Sequence, residues 1–282
     1  MPKVMIATDL DGTLLMTGSK SVHPEVKQAL SEAIDIGIPV VFATGRSPID
    51  ILPIAEMVNH HWYAVCNDGG TLVDLETKMV EKTHPIHELT LHQTVSIIRA
   101  QYPDVKFMID RVAEGPISTK EHGLIFEKGF EAPWAWALSG AAEVDEIESV
   151  LAEANIVKLC AFIDAPESID LFMEFKELVM PFVHPIRVHS EKFFVDMART
   201  GVNKSSGVGE LAARHGVAPE NVFAVGDLHN DYELLDWAGF SFAVQNAHPN
   251  LHNIVDMIVP TNDEGGVASV IRAAIAHAQG GA

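Results

Sequence analysis

Two apolar runs far apart in the chain, Val4-Met5-Ile6-Ala7 and Val222-Phe223-Ala224-Val225, each break abruptly into an acidic turn. The first turn reads Asp9-Leu10-Asp11-Gly12-Thr13 and the second Gly226-Asp227-Leu228-His229-Asn230-Asp231. Short apolar runs without polar alternation predict strands buried on both faces, as in a parallel sheet covered by helices. Ligands of such sheets gather at the carboxyl ends of the strands, so the two turns are predicted to share one rim. Carboxylates crowded there repel and raise one another's pKa. A divalent cation relieves the repulsion, and clustered oxygen ligands suit Mg2+. The pattern therefore predicts metal-assisted chemistry on a phosphate.

The surrounding sequence alternates strand and helix. Helical spacing of Val26, Leu30, Ala33 and Ile34 predicts a helix over 24–36, opened by Pro24 and stopped by Gly37. Strands are predicted at 39–43 and 63–66, with a helix at 49–58 between them. Asn67-Asp68-Gly69-Gly70 is a turn, with 71–73 and 79–81 read as a hairpin around it. The last part predicts helices at 204–215, 231–238 and 264–278 and strands at 222–225, 240–244 and 257–259. Strands alternating with helices imply an α/β fold, a doubly wound, Rossmann-like parallel sheet. The middle contains strands at 106–111, 157–163 and 193–197 and a helix at 169–179, but none of the phosphate-type motifs. The expectation is a catalytic core formed by 1–86 and 199–282, with 87–198 inserted as an α/β cap domain.

Charge narrows the partners. With 39 acidic against 19 basic side chains the formal net charge is −20, which disfavours nucleic acid and anionic membranes. The same field repels an anionic substrate, so a phosphate site must carry its own local positive charge. Only Cys66 and Cys160 are present, both in apolar runs, as expected of buried thiols in a reducing compartment. Met1-Pro2-Lys3-Val4 has no signal-peptide pattern. The expectation is a cytoplasmic protein whose oligomeric state the sequence does not set.

Individual motifs remain ambiguous when taken singly. Asp9, directly after a strand, can act as a nucleophile, and Asp11 can exchange a proton with the leaving oxygen and with water; Asp-x-Asp-Gly is also an ordinary turn. Thr13 offers a hydroxyl, and the loop N–H groups can cradle phosphate oxygens. Asp227, Asn230 and Asp231 read as a metal-and-support cluster or as N-capping. Thr44-Gly45-Arg46 ends a strand, where Thr44 and Arg46 can hold a phosphate, although a lone Arg is more often a surface residue. Lys204 at a helix start can neutralise a phosphate or a nucleophilic carboxylate, or it is simply solvated.

Joint occurrence decides between these readings. Asp9-x-Asp-Gly-Thr, Thr44, Lys204 and Gly226-Asp227-x-x-Asn-Asp231, in that order, resemble the haloacid dehalogenase superfamily of phosphohydrolases. The long insert between the threonine and lysine motifs resembles the Cof-like, sugar-phosphatase-type branch with an α/β cap. The resemblance implies a Mg2+-dependent phosphatase of a small phosphorylated metabolite, most readily a sugar phosphate, working through an aspartyl phosphate. It implies Asp9 as nucleophile and metal ligand, and Asp11 as general acid/base with its backbone carbonyl on the metal. It further implies Asp227 as metal ligand. Thr13, Thr44, Gly45, Arg46, Lys204, Asn230 and Asn246 would lie around the phosphate, with Asp231 in support. Two departures stand out: Asp68 replaces the Asn usual in relatives, and Leu228-His229 fills a spot often small or polar. An extra carboxylate at Asp68 bears on which substrate anion the site tolerates.

Two other readings stay open on the same fold. A phosphomutase or phosphotransferase would need clustered basic residues in the insert, where they are scattered. A catalytically silent metabolite sensor would show degraded motifs, whereas Asp9, Asp11, Lys204 and Asp227 are intact. His87 and His92 are five apart and do not form a His-Glu-x-x-His zinc pattern. The spacing of His248 and His252 is expected by chance among 14 histidines. Trp134 and Trp136 read as cap core, and 115–129 as a surface or specificity loop.

Overall fold

The computed structural model describes residues 3–117, 123–131, 141–188 and 190–280; Lys120, Trp134 and Trp136 lie outside them. In chain order the regular elements begin with β1 (Met5–Thr8), α1 (Pro24–Asp35), β2 (Val40–Ala43), α2 (Pro48–Met57), β3 (Tyr63–Cys66), β4 (Thr71–Asp74) and β5 (Met79–Thr83). Next come α3 (Glu88–Gln101), β6 (Lys106–Arg111), β7 (Gly115–Pro116), β8 (Gly123–Glu127), β9 (Ala142–Val144), β10 (Ile156–Pro166), α4 (Ile169–Val179), β11 (Val183–Val188) and β12 (Lys192–Arg199). The chain closes with α5 (Lys204–His215), β13 (Val222–Gly226), α6 (Tyr232–Trp237), β14 (Phe240–Val244), β15 (Met257–Val259) and α7 (Val267–Ala278). It divides into two compact units, Met1–Met79 with Asn203–Ala282, and Val80–Val202.

In the first unit the strands run in the order β15-β14-β13-β1-β2-β3-β4. All neighbours are parallel except β3 and β4. The chain leaves β1 toward β2 on one side and returns to β13 on the other, so β1 and β13 flank the topological switch point, where open α/β sheets bind ligands. The register pairs Thr8 with Val225, and the Asp9 N–H continues the ladder by donating to Val225 O at 3.0 Å. Both acidic turns thus leave the sheet side by side. The residues of β1, β2 and β13 are fully buried, as expected of central strands in a parallel sheet.

The helices end as their sequences dictate. Asn203 caps α5 through a capping box with Ser206, and Gly216 closes it in a left-handed conformation. Asn67–Gly69 forms a turn that joins β3 to antiparallel β4. The strands that flank this turn are 63–66 and 71–74, and 71–74 has 79–83 as its next neighbour in the strand order, so the expected pairing of 71–73 with 79–81 is present although the turn lies before it.

The second unit has a six-stranded sheet in the order β11-β12-β10-β6-β8-β9. Alternation at period two sorts its residues by face. Phe107, Ile109, Leu159, Phe193 and Val195 join Val95 and Ile98 of α3 and Phe172 and Phe175 of α4 in one cluster. Met108, Cys160, Phe162 and Phe194 form another with Phe130. Cys66 and Cys160 are both buried free thiols. Among the described residues no helix is long and apolar enough to cross a membrane.

One core residue makes stability pH-dependent. His60 is buried with its ring stacked on Phe42, centroids 4.1 Å apart, and burial drives its pKa down to about 3. The folded state therefore keeps His60 neutral while the unfolded chain takes up a proton below about pH 6.5. Stability from this group is full above that pH and falls as the pH drops toward 3. Urea unfolding at pH 7.5 and pH 4.5 should show wild type losing about 3 kcal/mol more than His60→Leu; parallel losses would contradict the assignment.

Candidate active site

Asp9 and Asp227 enter the site from adjacent strand ends, and the turn after Asp9 makes the meeting possible. Residues 10–14 curl back so that the Leu15 N–H donates to Leu10 O at 2.8 Å. Gly12 takes φ of 82° in this curl, a region that L side chains rarely adopt. A Cβ there would lie 2.3 Å from Asp227 Oδ2. Gly12 is thus required both by its own backbone and by the carboxylate that closes over it.

Lys204 is the first residue of α5 and is fully buried. Its ammonium donates to Asp9 Oδ1 at 2.6 Å and to Asp231 Oδ1 at 2.7 Å. The other Asp231 oxygen accepts from the N–H groups of Asp227 and Leu228 at 3.0 and 3.1 Å. Thr13 Oγ1 donates to Asp227 Oδ1 at 2.9 Å. Burial opposes the charge on Lys204, but Asp231, Asp9 and Asp68 outweigh it and raise its pKa. Burial above all pushes the Asp9 carboxyl well above the usual carboxylate range, against the pull of Lys204 and with Asp231 and Asp227 adding to the push. Asp227 is pushed up to about 7, first by burial and then by Asp231. The set has more negative charge than one ammonium can balance.

The remaining sequence-predicted residues lie in two further bonded groups, with Asn246 bonded to the acidic loop. Arg46 grips Asp11 with both ends of its guanidinium, Nε to Oδ2 at 2.7 Å and Nη2 to Oδ1 at 2.6 Å. Its side chain is only 12 % exposed, so it is not the solvated surface residue that a lone Arg would be. Asp11 is consequently held on Arg46, outside the group in which carboxylate oxygens of Asp9, Asp227 and Asp231 lie within 4.8 Å of one another. Thr44 is buried and its hydroxyl accepts from the Arg46 N–H at 3.2 Å. Gly45 lies against Asp68, whose carboxylate Oδ1 accepts from Asn230 Nδ2 at 3.1 Å. Asn246 bonds to the acidic loop, donating to Gly12 O at 2.7 Å and accepting from the Asn262 N–H at 3.0 Å.

Asn262 was not singled out from sequence. It is buried, and its amide donates to Leu15 O at 2.8 Å and to Thr17 Oγ1 at 3.1 Å, so it ties the end of the acidic loop to the 261–264 turn. The available signal was Thr261-x-x-Glu264, which forms a capping box around it.

The donor set fits a hard divalent cation. Lys204 and two backbone N–H groups occupy both oxygens of Asp231, which leaves Asp9 and Asp227 as the crowded oxygen donors. Both are buried beside further carboxylates, an environment whose cost a divalent cation would offset. Residues 6–271 match the haloacid dehalogenase-like hydrolases. The chain belongs to this family. It is 26% identical over 282 residues to the Bacillus subtilis 5-amino-6-(5-phospho-D-ribitylamino)uracil phosphatase YwtE, covering 94% of this chain and 96% of that protein. It is also 26% identical over 280 residues to the chloroplastic endoribonuclease YBEY of Arabidopsis thaliana, where the match spans 94% of this chain but only 45% of the relative. Among solved structures, a phosphatase of the haloalkanoate dehalogenase superfamily from Bacteroides thetaiotaomicron superposes with a TM-score of 0.77 at 22% identity, covering 97% of this chain and 95% of that one. That likeness shows the shared fold.

Proposed function

We propose that the chain is a Mg2+-dependent phosphatase of small phosphorylated metabolites, with sugar phosphates as the preferred class. The observation that carries this reading is the buried Lys204 bonded to both Asp9 and Asp231, with Asp227 one strand away. Such a site pairs a carboxylate nucleophile with the fixed positive charge that a phosphoryl group needs. The Bacillus relative named as a phosphatase of a phosphorylated ribityl compound supports the substrate class.

Asp9 is assigned the in-line attack on phosphorus, giving an aspartyl phosphate as the ester oxygen leaves. Asp11 is assigned the proton that the leaving oxygen takes up and, in the second step, the proton removed from the attacking water. Lys204, Thr44 and the N–H groups of the 10–14 loop hold the phosphoryl oxygens. Asp9, Asp227 and the backbone carbonyl of Asp11 would hold Mg2+, which supplies neutralising charge at the crowded carboxylates. Residues 87–198, inserted between the Thr44 and Lys204 motifs, are assigned the part of a cap that selects substrates and excludes water.

The test is phosphate release across a panel of phosphorylated sugars, nucleotides and cofactors. Turnover is expected on several sugar phosphates with Mg2+, and none in excess chelator. Release that persists undiminished in chelator would remove the metal from the reading, and no release from any phosphate ester would remove the phosphatase.

A further inference from the structure

We infer that Asp68 sets the anion selectivity of this site: its carboxylate competes with a bound phosphate for Lys204 and weakens the hold on free phosphate dianions. The inference rests on the phosphatase reading and names a determinant of what that site retains.

Asp68 is buried, only 3 % exposed, on the turn between β3 and β4. Its N–H donates to Thr44 O at 3.0 Å. Its carboxylate lies flat against the Thr44–Gly45 turn, since a Cβ built on Gly45 would stand 2.9 Å from Asp68 Oδ2 and 3.2 Å from Oδ1. From the other side the same turn packs on the start of α5, where a Cβ on Gly69 would meet Asn203 O at 2.1 Å. The turn that carries Asp68 is thereby fixed between the Thr44–Gly45 backbone and Asn203, the residue that precedes Lys204, and the charge of Asp68 acts on that ammonium together with those of Asp231 and Asp9.

The backbone of the turn does not itself call for a carboxylate. The backbone of Asp68 has φ of 51°, a left-handed conformation that Asn adopts at least as readily. The hydrogen bond from Asn230 needs only an acceptor oxygen, which an amide also supplies. What Asp adds over Asn is a negative charge. The other basic side chain at the rim, Arg46, is engaged by both oxygens of Asp11. A dianion arriving at this rim therefore finds Lys204 already bonded to Asp9 and Asp231, with the charge of Asp68 acting on it as well. Like charges in a poorly solvated site repel strongly, so the product phosphate is held weakly and leaves readily. Substrates with a second anionic group next to the scissile phosphate are disfavoured for the same reason.

The experiment is isothermal titration of the full chain with orthophosphate in the presence of Mg2+, beside inhibition by orthophosphate and vanadate. Asp68→Asn is expected to tighten orthophosphate and vanadate about tenfold and to raise kcat/KM for 2-phosphoglycerate relative to glycerol 2-phosphate. Asp68→Gly, which also suits the φ of 51°, should tighten phosphate similarly and answers the question if the Asn variant does not fold. A role confined to supporting the turn would move melting temperature without moving these constants. Active wild type with orthophosphate affinity unchanged within twofold in both variants would overturn the inference and leave the phosphatase reading standing. Wild type that neither binds orthophosphate nor hydrolyses any ester would overturn both.

Discussion

Asp9→Asn is expected to abolish turnover on every substrate and to leave no phosphoenzyme, while Asp11→Asn remains slow but measurable. The two carboxylates sit two residues apart, yet the structure gives them different environments. Asp9 is buried, bonded to Lys204 and crowded by Asp227 and Asp231. Asp11 has a half-exposed side chain gripped by Arg46. On the proposed roles, removing the first takes away the nucleophile. Removing the second takes away proton transfer, an effect typically worth about 100- to 10,000-fold. The Asp11 variant should lose least on substrates whose leaving group needs no proton, such as a nitrophenyl phosphate. Rapid-quench mass spectrometry locates the phosphoryl group. Label on a residue other than Asp9, or near-normal turnover by Asp9→Asn, would overturn the mechanism, and a loss in Asp11→Asn that ignores leaving-group basicity would remove its acid role.

Lys204→Met should produce the largest change in stability. The side chain is fully buried and bonded to two carboxylates at 2.6 and 2.7 Å, so the substitution leaves buried negative charge without its partner. Breaking one side of a buried ion pair costs about 3–5 kcal/mol. The pH dependence identifies the cause. Asp9 is already raised above its ordinary range by burial, and Lys204 is what pulls it down. Without that ammonium the folded state binds a proton at a higher pH than the unfolded chain does, so the variant gains stability as the pH falls through the window above about 3.9. Urea unfolding should show the gap between wild type and Lys204→Met narrowing from pH 7.5 to pH 5.5. A gap that stays constant would mean that the loss comes from packing rather than from stranded charge.

The parts of the fold legible in the sequence were those whose local signal and tertiary role agree. The apolar runs of β1, β2 and β13 are buried on both faces, so hydrophobicity alone marks them, and the acidic turns follow because those strands end at the rim. The second unit is less legible. Helix α3 carries Leu91, Val95 and Ile98 on its buried face, but that stripe is narrow and polar residues surround it. Strand β11 contains Pro185, which argues against a central strand; it is an edge strand, where a missing N–H is tolerated.

Within the site, residue types were legible and partnerships were not. Asp9, Asp11, Lys204 and Asp227 stand out by position, but spacing cannot show that Arg46 takes hold of Asp11, or that Asn246 spends both ends of its amide on backbone groups. Arg46 and Asp11 are 35 residues apart and Asn246 and Gly12 are 234 apart, and only the assembled sheet brings them within reach.

The division of the first unit into two stretches of chain, Met1–Met79 and Asn203–Ala282, has a consequence for biosynthesis. Strand β1 leaves the ribosome early, but its neighbour β13 ends at Gly226. At about 5–20 residues per second, roughly ten to forty seconds separate the two. During that interval β1 has no β13 to pair with, and Asp9 has no Lys204 to balance its charge. The second unit, by contrast, is one continuous stretch and has all its strands once Val202 is made. The carboxylate–lysine site is therefore assembled only after the second unit has all its strands, and a chain cut short directly after Val202 has the insert without the chemistry.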